Sequence, residues 1–270
     1  MNELLNRLLI ILNEGKVEST YYHISKKLIS IFNSLGEFSI SKVAAICNVS
    51  KSTISKFCRD IGYEDYSAFK EATKYYSVNN NKLNFNNNII NYLENHSLEE
   101  YTESIVNQIN LISKKLNMKN IDELAKDIYH YDNVAAFGLL FSQSSAVDLQ
   151  IKLAYQQKNI FTHSSDLLQD KYIRNAKEDT LIIIFSNSGN YLSKYQMVEG
   201  NRKKSLFEET KAKIVLITSN SEMINNKLVD LCINFQHSNT VQIHSFAFQI
   251  ISDMIALQYK LYKEEKQRRA

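Results

Sequence analysis

Two kinds of apolar periodicity divide this chain. Up to about residue 117 hydrophobic side chains return every three or four positions, and from about residue 134 short unbroken apolar runs alternate with such stretches. The first pattern predicts helices and the second a sheet whose strands are covered on both faces. Leu4, Leu5, Leu8, Leu9 and Leu12 line one helix, and Ile24, Leu28, Ile31 and Phe32 a second, separated near Gly15. Ile40, Val43, Ala44 and Cys47 predict a short third helix, and Ile54, Phe57, Cys58 and Ile61 a fourth. Between them stands Asn48-Val49-Ser50, where Asn tolerates the left-handed backbone that ends a helix and the Ser50 hydroxyl can cap the next one. Gly62 stops the fourth helix, and a fifth carries Tyr66, Phe69 and Tyr76.

The later pattern predicts strands at 134–137, 159–162, 181–185, 214–218 and 231–235. Helices are expected near 144–157, 166–176, 191–206 and 222–228, with a long last one from 241 to about 263. Strands alternating with helices give a five-stranded, doubly wound parallel sheet. Between the two patterns, SVNNNKLNFNNN has little to bury. The chain therefore reads as an all-helical domain over 1–78, an Asn-rich linker over 79–88 and an α/β domain over 89–270 that opens with a connecting helical region.

The third and fourth helices have the spacing of a helix-turn-helix, with small Ala44 where they cross and Asn48 in the turn. Ser52, Ser55, Lys56 and Arg59 recur at i, i+3, i+4 and i+7 on the face opposite Ile54, Phe57 and Ile61. From Ser39 to Arg59 there are four basic residues, Lys42, Lys51, Lys56 and Arg59, and no acid, which suits contact with phosphates. Ser50, Lys51, Ser52, Thr53, Ser55, Lys56, Arg59 and Lys42 are the candidate DNA-binding residues. The plainer alternative is a helical hairpin with a solvated basic face.

Composition narrows the picture at three points. Net charge is only +3, so a nucleic-acid reading rests on the local acid-free stretch and on pairing of two reading heads, not on a globally basic surface. No apolar run is long enough to span a bilayer, and the opening MNELLNRLLIILNEG, with acids on both sides of its apolar centre, reads as a helix and not a signal peptide. Cys47, Cys58 and Cys232 are widely spaced in apolar surroundings without metal-ligand spacing, which fits reduced thiols of a cytoplasmic protein that needs no metal and no cofactor.

In a doubly wound sheet ligands bind at the carboxyl ends of strands beside a switch in strand order. The strand at 181–185 runs into Ser186-Asn187-Ser188-Gly189-Asn190, a hydroxyl-rich turn entering a helix, where backbone N–H groups suit a phosphate. The strand at 134–137 runs into Gly138-Leu139-Leu140-Phe141-Ser142, again entering a helix. If the two strands are neighbours the turns make a phosphoester cradle; otherwise they are two ordinary helix entries.

The strand followed by S-x-S-G resembles the sugar isomerase (SIS) phosphosugar-binding fold, with Ser186, Ser188 and Gly189 at its motif positions. Together with VSKSTISKFCRDIGYEDYSAFK, it makes nearly the whole chain similar to the RpiR family of bacterial transcription regulators. The resemblance implies an operator-binding helical domain and a SIS domain that senses a phosphorylated sugar and helps to form a homodimer or homotetramer, with no membrane partner. Carried over by position, Ser142, Ser186 and Ser188 would bind the ligand, and Gly138, Asn187, Gly189 and Asn190 would complete the site. Two positions depart from the pattern. Leu140 stands where the first loop, G-x-G-x-S, has its second Gly, and Tyr191 replaces the hydroxyl residue after S-x-S-G-x. Either the site takes an unusual ligand, or ligand sensing has been lost and the domain holds an oligomer together. A sugar phosphate isomerase, the remaining alternative, needs a general base; His163, His237 and His244 lie near predicted strand ends or the last helix, but no Glu stands beside the motif turns, and no catalytic residue is assigned.

Overall fold

The structure, a computed structural model, describes residues 3–78, 89–193, 205–237 and 244–269. They form two compact units, the first built mainly on the chain up to Val78 and the second mainly on the chain from Ile89 onward.

In the first unit α1 (Glu3–Glu14) and α2 (Thr20–Ser30) precede a 3-10 turn, Phe32–Glu37, then α3 (Ile40–Ile46), α4 (Lys51–Asp60) and α5 (Tyr66–Val78). The expected second helix stops short of Ile31 and Phe32, which lead into the 3-10 turn. Leu4, Leu8, Ile24, Leu28, Leu35, Val43, Ile54, Phe57 and Phe69 are buried together, so the helical periodicities converge on one core. Ser19, Ser39 and Ser50 cap α2, α3 and α4 through their hydroxyls. Burial pushes the Cys58 thiol up to about 12, which makes it an inert core residue.

The second unit begins with α6 (Ile89–Leu93), α7 (Leu98–Lys115) and α8 (Met118–His130). There follow β1 (Asn133–Phe137), α9 (Phe141–Tyr155), α10 (Asp166–Asn175), β2 (Thr180–Phe185) and the short helices α11 (Asn190–Ser193) and α12 (Leu206–Glu209). β3 (Lys213–Thr218), a 3-10 turn at Ser221–Asn225, β4 (Leu231–Asn234) and α13 (His244–Arg269) complete it. All described strands pair in parallel in the order β1-β2-β3-β4. One face, with Ala136, Ile183, Phe185, Val215 and Ile217, packs on Leu124 and Ile128 of α8, Leu149 of α9 and Phe248 and Ile251 of α13. On the alternate residues of the other face, Phe137 meets Tyr172 of α10 edge-on at 5.5 Å. Both faces are thus covered, as a parallel sheet requires.

The described sheet has four strands rather than five. Residues 159–162 keep only one parallel bridge, Ala135 to Phe161. Beside it, Gln150 Nε2 of α9 donates to the Ile160 carbonyl at 2.7 Å and Gln143 Nε2 to Thr162 Oγ1 at 2.8 Å. The helix expected at 222–228 is a 3-10 turn, because the Asn220 and Asn226 side chains accept from Glu222 N and Leu228 N and close the backbone at both ends. Of the helix expected over 191–206, residues 194–204 lie outside the described residues, as does the linker expected at 79–88.

Candidate nucleic-acid interface and ligand site

The turn between α3 and α4 is fixed by Asn48, whose φ of 53° is left-handed. Val49 N donates to the Ala44 carbonyl at 3.0 Å and Asn48 N to that of Ala45 at 3.2 Å, the paired bonds of a Schellman cap. Asn48 satisfies this geometry without the Gly often found there. At the start of α4, Ser50 Oγ accepts from Thr53 N at 3.1 Å and lies 2.7 Å from Ser52 Oγ and 2.8 Å from Thr53 Oγ1. Lys51, Ser52, Lys56 and Arg59 are exposed, Thr53 and Ser55 half-buried, and Ile54, Phe57 and Cys58 buried, so α4 presents the polar face read from its spacing. Lys42 is exposed on α3. Asp60, next to the acid-free stretch, accepts a hydrogen bond from the Tyr21 hydroxyl. Burial and that bond push Tyr21 up to about 12.

In the second unit β1 and β2 are neighbours, with Phe137 opposite Ile184, so the two serine-bearing turns lie side by side at the carboxyl ends of adjacent strands. The chain leaves β1, pairs at Phe161, and returns as β2. Since the Phe161 bridge and β2 both pair with β1, the crevice between β1 and β2 is the switch point of the sheet. Gly138 has no room for a side chain, because an added Cβ would lie 2.6 Å from the Ser142 carbonyl carbon. Leu140, the N-cap of α9, has φ 52° and ψ −117°, a backbone conformation that suits glycine and strains leucine. Ser142 is wholly buried, and its Oγ has no hydrogen-bond partner among the described residues.

The β2 turn is held by its neighbours. Gly189 has φ 75°, and a Cβ there would meet Met223 at 2.6 Å. Ser186 Oγ accepts from Tyr191 N, and Ser188 Oγ from Asn190 N. The Asn187 carbonyl accepts from Thr218 Oγ1 at 2.8 Å and Ser219 Oγ at 3.1 Å, and the Ser188 carbonyl from Asn220 Nδ2. Ser186 is buried, Ser188 exposed, and Asn187 Oδ1 is buried without a partner among the described residues.

A network not visible from the sequence joins the two turns. Tyr191, 7% exposed, donates its hydroxyl to Gln169 Oε1, while Gln169 Nε2 faces the Gly138 carbonyl at 2.9 Å, Gln143 Oε1 at 3.1 Å and the His163 carbonyl. Gln169 lies inside a mostly polar helix, where nothing local distinguishes it. Of the histidines, His163 is tied to this network through its carbonyl, and its ring lies 6.4 Å from that of Phe161. The His244 ring is buried 6.4 Å from that of His237, with burial first and then His237 pushing its pKa down to about 4. Among the described residues no cluster of His, Cys, Asp and Glu could hold a metal ion, and no helix is long and apolar enough to cross a membrane.

A helix-turn-helix unit followed by a parallel α/β unit with serine-bearing turns at its switch point defines a class of transcription regulator. Residues 16–80 match the helix-turn-helix domain of the rpiR family, and the chain carries an RpiR-type DNA-binding domain. It is 25% identical over 210 residues to an uncharacterized HTH-type transcriptional regulator in the aarA 3′ region of Providencia stuartii, spanning 70% of this chain and 67% of that one. The fold is similar to that of the Vibrio vulnificus NanR protein complexed with ManNAc-6P, with a TM-score of 0.51 and 15% identity over 98% of this chain and 94% of that one. It is also similar to the sugar isomerase domain of an RpiR transcription factor from Sphaerobacter thermophilus, with a TM-score of 0.48 and 15% identity over 63% of this chain and 93% of that one.

Proposed function

We propose that this chain regulates transcription by reading an operator with α4, and that a phosphorylated small molecule bound at the switch point of its α/β unit changes that reading. The observation that carries the first half is the polar face of α4, exposed at Ser52, Lys56 and Arg59 and half-buried at Ser55, on a helix set at a Schellman turn within a span that matches the rpiR helix-turn-helix domain. Lys56 and Arg59 are the candidates for base or phosphate contact in the major groove, Ser52 and Ser55 for shorter hydrogen bonds, and Lys42, Lys51, Ser50 and Thr53 for the backbone. In support of the second half, Ser142 Oγ is buried without a partner at one turn, and Ser186 and Ser188 supply hydroxyls at the other. Gly138, Asn187, Gly189 and Asn190 shape these turns. The Vibrio protein of similar fold is complexed with a phosphorylated amino sugar, which supports a phosphoester as the ligand class. The protein acts in the cytoplasm, with residues 79–88 linking a reading domain of residues 1–78 to a sensing domain of residues 89–270.

A homodimer or homotetramer completes this reading. The exposed positions of α9 are Phe141, Ser144, Val147, Ile151, Ala154 and Tyr155, none of them charged, and an exposed apolar stripe of this kind is the usual mark of an interaction surface. No catalysis is assigned, in keeping with the rpiR-type helix-turn-helix domain that the chain carries. A second reading, in which the α/β unit only holds the oligomer together, is favoured by one observation, the buried Tyr191 side chain bonded to Gln169 beside the two turns.

The test is to select genomic fragments on the purified protein and titrate the best one with and without a panel of phosphoesters. A specific palindromic site whose affinity shifts with one compound, and loses that shift in Ser186→Ala and Ser188→Ala, is expected. A specific site that no compound affects leaves the scaffold reading, and the absence of any specific site sinks the regulator.

A further inference from the structure

We infer that Tyr191 is the specificity-determining residue of the α/β unit, limiting it to compact anions, free phosphate or phosphoesters of two or three carbons, and shutting out hexose and hexosamine phosphates. The inference rests on the phosphoester site proposed above.

The crevice between the ends of β1 and β2 is the place where the body of a ligand would lie once its phosphate sat against the serine turns. Tyr191 leaves the β2 turn, and its hydroxyl reaches Gln169, whose amide reaches the Gly138 carbonyl at the end of β1. Tyr191 and Gln169 together thus link the β2 turn to the end of β1, with the phenol beside the crevice on the β2 side. It is not a surface ring free to swing aside. It is buried, it packs edge-on to Phe207 at 6.0 Å, and its departure would leave Gln169 Oε1 without a partner in a buried place.

The polar atoms around the Tyr191 ring are already committed to one another, and at the β2 turn Asn187 Oδ1 is the buried side-chain acceptor left without a partner among the described residues. Tyr191 is joined to Gln169, Gln169 to Gln143, and Gln143 to Thr162, a continuous chain of side-chain hydrogen bonds. A sugar ring would have to break this chain to satisfy its own hydroxyls on the Tyr191 side. On the opposite lip, half-buried Leu140 keeps a glycine-type backbone but carries a side chain, which holds a ligand away from the N-terminus of α9. Ser142, Ser186 and Ser188 remain for an anion, enough to meet a phosphate group and little more.

Calorimetric titration of the full chain with inorganic phosphate, glycerol 3-phosphate and glucosamine 6-phosphate tests this. The native protein should bind the first two and discriminate against the third by on the order of tenfold or more, as expected for a steric block in a shaped pocket. Tyr191→Ser, combined with Leu140→Gly, should remove most of that discrimination, Leu140→Gly alone should not, and Tyr191→Phe should keep it, since the ring stays. Glucosamine 6-phosphate binding to the native chain as tightly as glycerol 3-phosphate would overturn the inference, as would unchanged discrimination in the Ser variant. Absence of binding by all three compounds, or binding indifferent to Ser186→Ala, instead sinks the site on which the inference rests. Should the double variant fail to fold, as judged by near-ultraviolet circular dichroism, the discrimination measured on the native chain still decides.

Discussion

At the scale of single residues the chain carries a buried histidine that titrates far from its ordinary range. His244 is 2% exposed, and neither ring nitrogen has a hydrogen-bond partner among the described residues. Burial first, and then His237, pushes its pKa from 6.5 down to about 4. The folded value lies below the unfolded one, so between these two pH values the unfolded chain binds a proton that the folded chain refuses. Stability therefore falls as pH drops from about 6.5 toward 4, with a limiting slope of about 1.4 kcal/mol per pH unit and a total on the order of 3 kcal/mol. His244→Leu removes the titrating group, so the difference in urea-unfolding free energy between native and variant chains should be flat above pH 7 and change steadily below it. A difference independent of pH would show that His244 is not held neutral. Leu140 makes a second case at this scale. Its φ of 52° is a glycine conformation, so Leu140→Gly should raise stability by about 1 kcal/mol, the released strain exceeding the lost side-chain burial. Chemical denaturation reads the sign, and a loss of stability would mean that the Leu side chain contributes more than its backbone costs.

At the scale of elements, α4 yields the most direct test. Lys56 and Arg59 are exposed, so Lys56→Ala and Arg59→Ala should leave the circular dichroism spectrum unchanged while each lowers operator affinity by roughly 1–3 kcal/mol if it reads a base. If it meets only phosphate, affinity should fall alike for all sequences and the salt slope should drop by about one. Unchanged affinity in the double variant at physiological salt would remove α4 as the reading helix. This element was legible in the sequence because everything that defines it is local: the Asn48 turn, the Ser50 cap and the opposition of Ile54 and Phe57 to Lys56 and Arg59. The strands at β1, β2, β3 and β4 were legible for the same reason, as short apolar runs between polar breaks. The reduction of residues 159–162 to a single bridge was not, since an apolar run does not mark how far a segment stays paired with its neighbour. Nor was the Tyr191–Gln169 link, which joins residues 22 positions apart through a side chain with no periodic signature. The sequence flagged Tyr191 as a departure, but only the fold shows what it touches.

At the scale of the whole molecule, a net charge of +3 leaves little general attraction for DNA, and in the proposed reading two reading heads on one operator supply the affinity. The surface that would join two copies is on α9 and its neighbour α13. On α9 the charged residues turn toward α13: Lys152 Nζ lies 2.6 Å from Asp148 and 2.5 Å from Asp253. What remains outward is uncharged and mostly apolar, with Phe141 65%, Ile151 51% and Tyr155 83% exposed, and Phe246, Leu257 and Leu261 of α13 are exposed as well. A standard interface buries roughly 800 Å² on each partner, and aromatic and branched side chains in this number supply area on that scale. Ile151→Asp places a charge at the centre of the α9 stripe without touching a described core residue. In sedimentation velocity at micromolar concentration the native chain should run as a dimer or larger, and the Ile151→Asp chain as a monomer with an unchanged circular dichroism spectrum. The same variant should bind a palindromic operator at least about tenfold more weakly and with roughly half the native salt slope, because one head now neutralises half the phosphates. If the variant keeps both its mass and its operator affinity, α9 is not the joining surface. If it becomes a monomer yet binds the operator as before, a single α4 suffices and the two-headed reading of the operator fails.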